Sequence, residues 1–220
     1  MGMMDSFPRW AQRLYFRFVR PHLFRRYRYL TDTIRETKAQ RILEIGVWNG
    51  MQAELMIREA QKFHKDVEYY GFDLFEEMTP EMFKIAVAKH PPKMSVVKND
   101  LEKTGARIGL FRGLTDKTLP AAAKILPPMD FIYIDGDHSL EGVANDWKNV
   151  QRLMGRHTVV IFDDYWNRAT EGAKPLVDSL DTTKYQVEIL PITDTVRKPD
   201  GLLTIQFARV RLRQGAEARA

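Results

Sequence analysis

An α/β three-layer sandwich, built on a mostly parallel seven-stranded sheet that ends in an antiparallel hairpin, is the architecture this sequence predicts. Three observations carry that expectation. Short β-rich apolar runs alternate with helical stretches, each pair taking roughly 25 to 35 residues, which is the rhythm of repeated βαβ units. The first run ends in glycines and later ones end in acids, so polar residues gather where parallel strands finish. The last two runs, Tyr185 to Leu190 and Leu202 to Val210, are joined by a turn-rich link, Pro191 to Gly201, too poor in helix formers for a crossover, and they should pair antiparallel.

The elements follow in order. Residues 1–38 read as a basic arm, residues 39–212 as one domain, and residues 213–220 as a flexible tail. Within the arm, Trp10, Leu14, Tyr15, Phe18 and Val19 recur near helical spacing with Arg9, Arg13, Arg17 and Arg20 between them, until Pro21 interrupts the pattern. Arg41 to Val47 is the first strand, and Gln52 to Phe63 its helix. Val67 to Asp73 and a helix over Pro80 to Lys89 make the second unit. Arg107 to Gly113 and Lys117 to Leu126 make the third. Met129 to Asp135 is the fourth strand, followed by a helix from Ser139 to Met154. The near-continuous apolar run Thr158 to Asp163 suits a fifth strand covered on both faces, with a helix near Gly172 to Leu180 after it.

Composition narrows the function. With 220 residues, 44% of them hydrophobic, the chain can bury one sizeable core. There are no cysteines, which excludes disulfide frameworks, thiolate zinc sites and cysteine nucleophiles. No apolar run reaches the roughly 20 residues of a membrane span, and the start lacks the order of a signal peptide. A cytoplasmic protein is expected. The net charge of +5 is concentrated in residues 1–41, where ten Lys/Arg face three acids; the remainder holds 24 basic and 26 acidic side chains. Three uses of the arm compete: a cover over the site or a contact in a homo-oligomer, a helix lying on the inner face of an anionic membrane, and, least favoured, an RNA patch. No nucleic-acid partner is expected, because the rest of the chain is slightly acidic and carries no RNA-binding module.

The strand-turn-helix corner Glu44-Ile45-Gly46-Val47-Trp48-Asn49-Gly50 places glycine where the chain turns sharply and backbone must approach a ligand. Its acid-x-Gly-x-x-x-Gly spacing resembles motif I of class I methyltransferases. It departs from Gly-x-Gly-x-x-Gly, since Trp48 stands two after Gly46. Glu44, Gly46 and Gly50 thus become candidate contacts for S-adenosylmethionine in a Rossmann-like fold. Asp73, closing the second strand, stands where such folds put a carboxylate that accepts from two ribose hydroxyls. Gly113-Leu114-Thr115-Asp116 resembles the Gly-x-Ser loop that meets adenine in metal-dependent O-methyltransferases, with Thr115 or Asp116 serving either there or as a helix cap.

Two acidic segments carry the chemistry: Phe131-Ile-Tyr-Ile-Asp135-Gly-Asp137-His138-Ser139 and, about 25 residues on, Val159-Val-Ile-Phe-Asp163-Asp164-Tyr165-Trp166. Carboxylates converging at one sheet edge repel unless a cation or proton compensates them, and a hard divalent ion, Mg²⁺ or Mn²⁺, suits oxygen donors. The segments resemble the small metal-dependent O-methyltransferases that include macrolide and aminocoumarin tailoring enzymes and the cephalosporin hydroxylase group, over about residues 40 to 180. That resemblance implies Asp135, Asp163 and Asp164 as metal ligands. It also implies a small-molecule or glycan acceptor, with a sugar hydroxyl favoured over a catechol. His138 or Asp135 would take the proton. Trp48, Tyr165 and Trp166 lie in the same loops and either wall the site or simply pack. The competing reading is a catalytically silent binding or scaffold protein that keeps the fold.

Overall fold

The computed structural model describes residues 25–80, 82, 92–213 and 215. The amphipathic pattern at residues 9–20, most of the helix expected over Pro80 to Lys89 and most of the tail lie outside the described residues. Among the described residues the elements are α1 (Arg28–Thr37), β1 (Arg41–Ile45), α2 (Met51–Ala60), β2 (Glu68–Asp73), α3 (Met94–Glu102), β3 (Arg107–Arg112), α4 (Thr115–Ala122), β4 (Met129–Ile134), α5 (Leu140–Val150), β5 (Met154–Trp166), α6 (Lys174–Asp178), β6 (Tyr185–Ile189), β7 (Asp194–Lys198) and β8 (Gly201–Leu212), with single 3₁₀ turns at Phe75–Glu77 and Gln151–Leu153.

The sheet runs β3-β2-β1-β4-β5-β8-β6, and β7 pairs with the first half of β8. Strands β1 to β5 are parallel, whereas β8 runs antiparallel to both β5 and β6. The three-layer α/β sandwich expected from the sequence is therefore present, with eight strands in place of seven. The extra strand, β7, lies inside the link expected to be turn only; it forms a short ribbon with Gly201–Ile205. Of its residues Asp194 alone is buried, so no apolar alternation marks it. A second departure is α3, where only Val97 and Leu101 are buried, too short a stripe to read as periodicity.

Burial explains the parallel strands. Ile42, Leu43 and Ile45 of β1 are fully enclosed, as are Phe131, Ile132 and Tyr133 of β4 and Val159 to Phe162 of β5, because helices cover both faces. Asp130 fixes the start of β1: its Oδ2 accepts from the backbone N–H of Gln40 (2.9 Å) and Arg41 (2.8 Å). Helix α1 joins the same core, with Leu30 and Ile34 packed among Ile42, Met56, Ile57 and Tyr133. Strand order reverses between β1 and β4, whose neighbours lie on opposite sides, and in open α/β sheets that point opens a ligand crevice beyond the carboxyl ends of the strands. Among the described residues no helix is long and apolar enough to cross a membrane.

Candidate active site

The crevice begins at the exit of β1. Gly46 has φ +87°, and a Cβ built there would stand 1.8 Å from the backbone oxygen of Asp135, so only glycine lets the two strand exits cross. Its N–H donates to Phe72 (2.8 Å) while Asp135 N–H donates to Ile45 (2.8 Å), which ties β1 between its neighbours. Gly50, at φ +72°, is the left-handed residue that enters α2, and Trp48 between them is also left-handed at φ 46°.

Asp73 organises this turn. Its Oδ2 accepts from Trp48 N–H (2.7 Å) and its Oδ1 from Phe75 N–H (3.0 Å). Each carboxylate oxygen has two lone pairs, so both retain capacity toward the crevice. Glu44 is placed differently. At 1% exposure it lies inside β1 beside the Tyr69 hydroxyl, which donates to Oε2, and burial holds its carboxyl well above the ordinary range. Past β3, Leu114 is the N-cap residue of α4, with no side-chain cap. Thr115 stands near the carboxylate of Asp146 on α5, and Asp116 pairs with Lys117 (3.1 Å) at the surface. Asp146 itself is 1% exposed, and burial pushes its carboxyl up to about 7.

The acids meet at the exits of β4 and β5. Asp135, Asp163 and Asp164 each offer an oxygen within 4.8 Å of the other two, in a small cleft also lined by Gly136, Asp137 and Ala173. Period two explains Asp135 and Asp163: they continue the face of Tyr133 and Ile161, which are register partners. Asp164 would point away, but the register breaks between Phe162 and Tyr165 and Asp164 takes φ 49°, which turns its side chain back. Gly172 locks this loop. Its N–H donates to His138 O (2.7 Å), Ala173 N–H donates to Asp164 O (2.8 Å), and a Cβ on Gly172 would meet Asp164 O at 2.5 Å.

Three partners of the acids matter. The Tyr133 hydroxyl lies 2.7 Å from Asp163 Oδ2 and 3.0 Å from Asp135 Oδ2; with one proton it donates to one acid at a time. His138 Nδ1 is 2.7 Å from Asp164 Oδ2, and its ring packs against Trp166 with centroids 5.0 Å apart. Burial alone would lower the His138 pKa, yet the Asp164 carboxylate outweighs it and raises the imidazole to about 9, so the ring is a cation at neutral pH. Arg26, 6% exposed, forms an ion pair with Asp163, and its Nε donates to Asp194 Oδ2 (2.9 Å). Asp135 is left as the proton-binding member: burial first, then the Asp164 charge, holds its carboxyl well above the ordinary carboxylate range.

The structure thus gathers Asp135, His138, Asp163 and Asp164 at one point and sets Gly46 against Asp135. Asp137 and Ser139 serve the helix: Ser139 caps α5 by accepting from Gly142 N–H (3.0 Å), and its hydroxyl donates to Asp137 (2.6 Å). Trp166 donates its indole N–H to Asp164 Oδ1 (2.8 Å), while Tyr165 turns outward to Asp178 and Lys174. Sequence reasoning missed Tyr133 and Arg26. Tyr133 carried a signal, since it stands two before Asp135 on a strand. Arg26 carried none, because its acid partners, Asp163 and Asp194, are more than 130 residues away.

The three carboxylates form a donor set that fits a hard divalent cation, and the Arg26 guanidinium stands against one of them as a built-in cation.

A family model described as "Methyltransferase domain" matches residues 43–165. No curated protein matches the sequence. Solved structures with a similar fold include the calicheamicin methyltransferase CalS11 (TM-score 0.59, 16% identity, covering 86% of this chain and 77% of that one). An O-methyltransferase from Bacillus cereus in complex with SAH is also similar (0.57, 16%, 84% and 80%). So is the O-methyltransferase TomG from Streptomyces achromogenes, involved in tomaymycin synthesis and solved with SAM (0.53, 14%, 84% and 79%).

Proposed function

On the premise that this chain belongs to the methyltransferase domain family and is an S-adenosylmethionine-dependent methyltransferase of class I fold, we propose that it methylates a hydroxyl oxygen of a sugar or glycosylated small molecule with a divalent cation at Asp135, Asp163 and Asp164. The observation that carries this reading is the convergence of those three acids beside the glycine turn at the switch point. The acceptor class is supported by the resemblance of the two acidic segments to macrolide and aminocoumarin tailoring enzymes.

The roles follow from placement. Gly46 and Gly50 bring bare backbone to the methionine end of the donor, Asp73 offers its remaining lone pairs to the ribose hydroxyls, and the loop of Thr115 and Asp116 serves the adenine ring, as its resemblance to the Gly-x-Ser loop implies. A bound Mg²⁺ or Mn²⁺ would lower the pKa of the acceptor hydroxyl and fix its line of approach to the sulfonium methyl. Asp135, the acid most ready to bind a proton, removes the hydroxyl proton as the oxygen attacks. Tyr133 holds Asp135 and Asp163 in register, and His138 as an imidazolium stabilises Asp164 rather than serving as base.

One observation favours a second reading. Arg26 and His138 already offset two negative charges of the cluster, so turnover through Asp135 without an added ion is the alternative within the same fold. Methyl transfer from labelled S-adenosylmethionine to a panel of glycosides and catechols, with Mg²⁺ and with EDTA, separates them. Activity on glycosides abolished by EDTA supports the first reading. Unchanged turnover in EDTA supports the second, and preference for catechols removes the sugar acceptor.

A further inference from the structure

We propose that Arg26 is the resident counter-ion of the acid cluster, and that a divalent ion enters only by displacing it, so that the segment leading into α1 controls metal occupancy. This rests on the metal reading above and adds a residue to it.

The acceptor capacity of Asp163 is nearly spent. Its Oδ1 takes Asp164 N–H (2.7 Å) and faces the Arg26 guanidinium; its Oδ2 takes the Tyr133 hydroxyl (2.7 Å). A carboxylate has about four lone-pair sites, so the guanidinium occupies a position that a metal would need. Two cations on one carboxylate oxygen repel, and at 2% exposure for Asp163 little water screens them.

Arg26 is also built to move without becoming unpaired. Its planar fork spans two acids, Nη1 toward Asp163 and Nε to Asp194, while its guanidinium carbon lies 4.8 Å from the centroid of the Phe207 ring and 5.0 Å from that of Tyr27. Release from Asp163 leaves the charge held by Asp194 and the rings. The backbone at this point is a turn, with Tyr29 N–H donating to Arg26 O (3.1 Å), just ahead of the core residue Leu30. A shift of the guanidinium therefore bears on how the chain enters α1.

Mn²⁺ titration of the full-length protein after EDTA treatment, followed by electron paramagnetic resonance, tests the proposal on wild type, Arg26→Gln and Arg26→Lys. Arg26→Gln is expected to bind Mn²⁺ at least tenfold more tightly than wild type, Arg26→Lys to stay nearer wild type, and Asp163→Asn added to Arg26→Gln to erase the gain. Because Arg26→Gln strips a partner from two buried acids, its melting temperature with and without Mn²⁺ is measured as well. The Mn²⁺-induced rise should exceed that of wild type even where the metal-free variant is less stable. Equal affinities and equal rises would overturn the competition while leaving the metal reading in place. Failure of both wild type and Arg26→Gln to bind millimolar Mn²⁺ would overturn both.

Discussion

Asp163 shows how much chemistry the site compresses onto single side chains: tyrosine, backbone amide and guanidinium meet one carboxylate that is 2% exposed. Asp163→Asn keeps its shape and removes its charge. The variant should lose at least about 100-fold in kcat, roughly 2.7 kcal/mol of barrier, while calorimetric S-adenosylmethionine affinity stays within about twofold; unaltered turnover would take Asp163 out of the chemistry. Asp146 gives a pH test. The folded chain keeps its proton up to about pH 7, against an ordinary 3.8, because burial disfavours the charge. Unfolding between those values releases a proton, so stability falls as pH rises through that window and is level above it. Relative to Asp146→Asn, wild type should lose up to about 1.4 kcal/mol per pH unit there; parallel urea-denaturation curves for the two proteins across pH 4 to 7 would contradict the assignment. Which residues could be foreseen depended on locality. Asp135, Asp163 and Asp164 lie in short motifs, whereas Arg26 meets its acids only through the folded chain. His138 stood beside Asp135 in sequence and suggested a base; its Nδ1 lies 2.7 Å from Asp164 Oδ2, a contact that only the folded chain shows.

At the scale of elements, parallel strands β1 to β5 were legible because burial on both faces writes them as apolar runs, and because each ends in glycine or acid. Strand β7 and helix α3 were not, since most of β7 faces solvent and α3 buries only Val97 and Leu101. Helix α1 falls within the basic arm by charge, yet Leu30 and Ile34 are enclosed with α2 and β1. Ile34→Ala should therefore cost about 2 to 4 kcal/mol in denaturant unfolding, where a solvated arm would register under about 0.5 kcal/mol. The turn after β1 is stricter still. Gly46→Ala places a methyl group against Asp135 O and demands a left-handed alanine, so the protein should either lose several kcal/mol of stability or fold with the crevice displaced and donor binding weakened at least tenfold. A variant that melts and binds as wild type does would show that the two strand exits do not cross as described.

For the molecule as a whole, the switch point between β1 and β4 unites what the sequence showed in separate pieces: a glycine turn, an acid closing β2, and two acidic segments a helix apart. Fold and sheet edge could be inferred from rhythm and motif; the charge balance of the site could not, because it depends on Arg26 arriving from the chain ahead of α1. The most direct test of the central claim is calorimetric titration of S-adenosylmethionine into the full-length protein, with S-adenosylhomocysteine as competitor. One saturable site per chain, displaced by S-adenosylhomocysteine and weakened at least tenfold by Asp73→Ala, is the predicted result. Absence of saturable binding by a natively folded preparation would contradict the account.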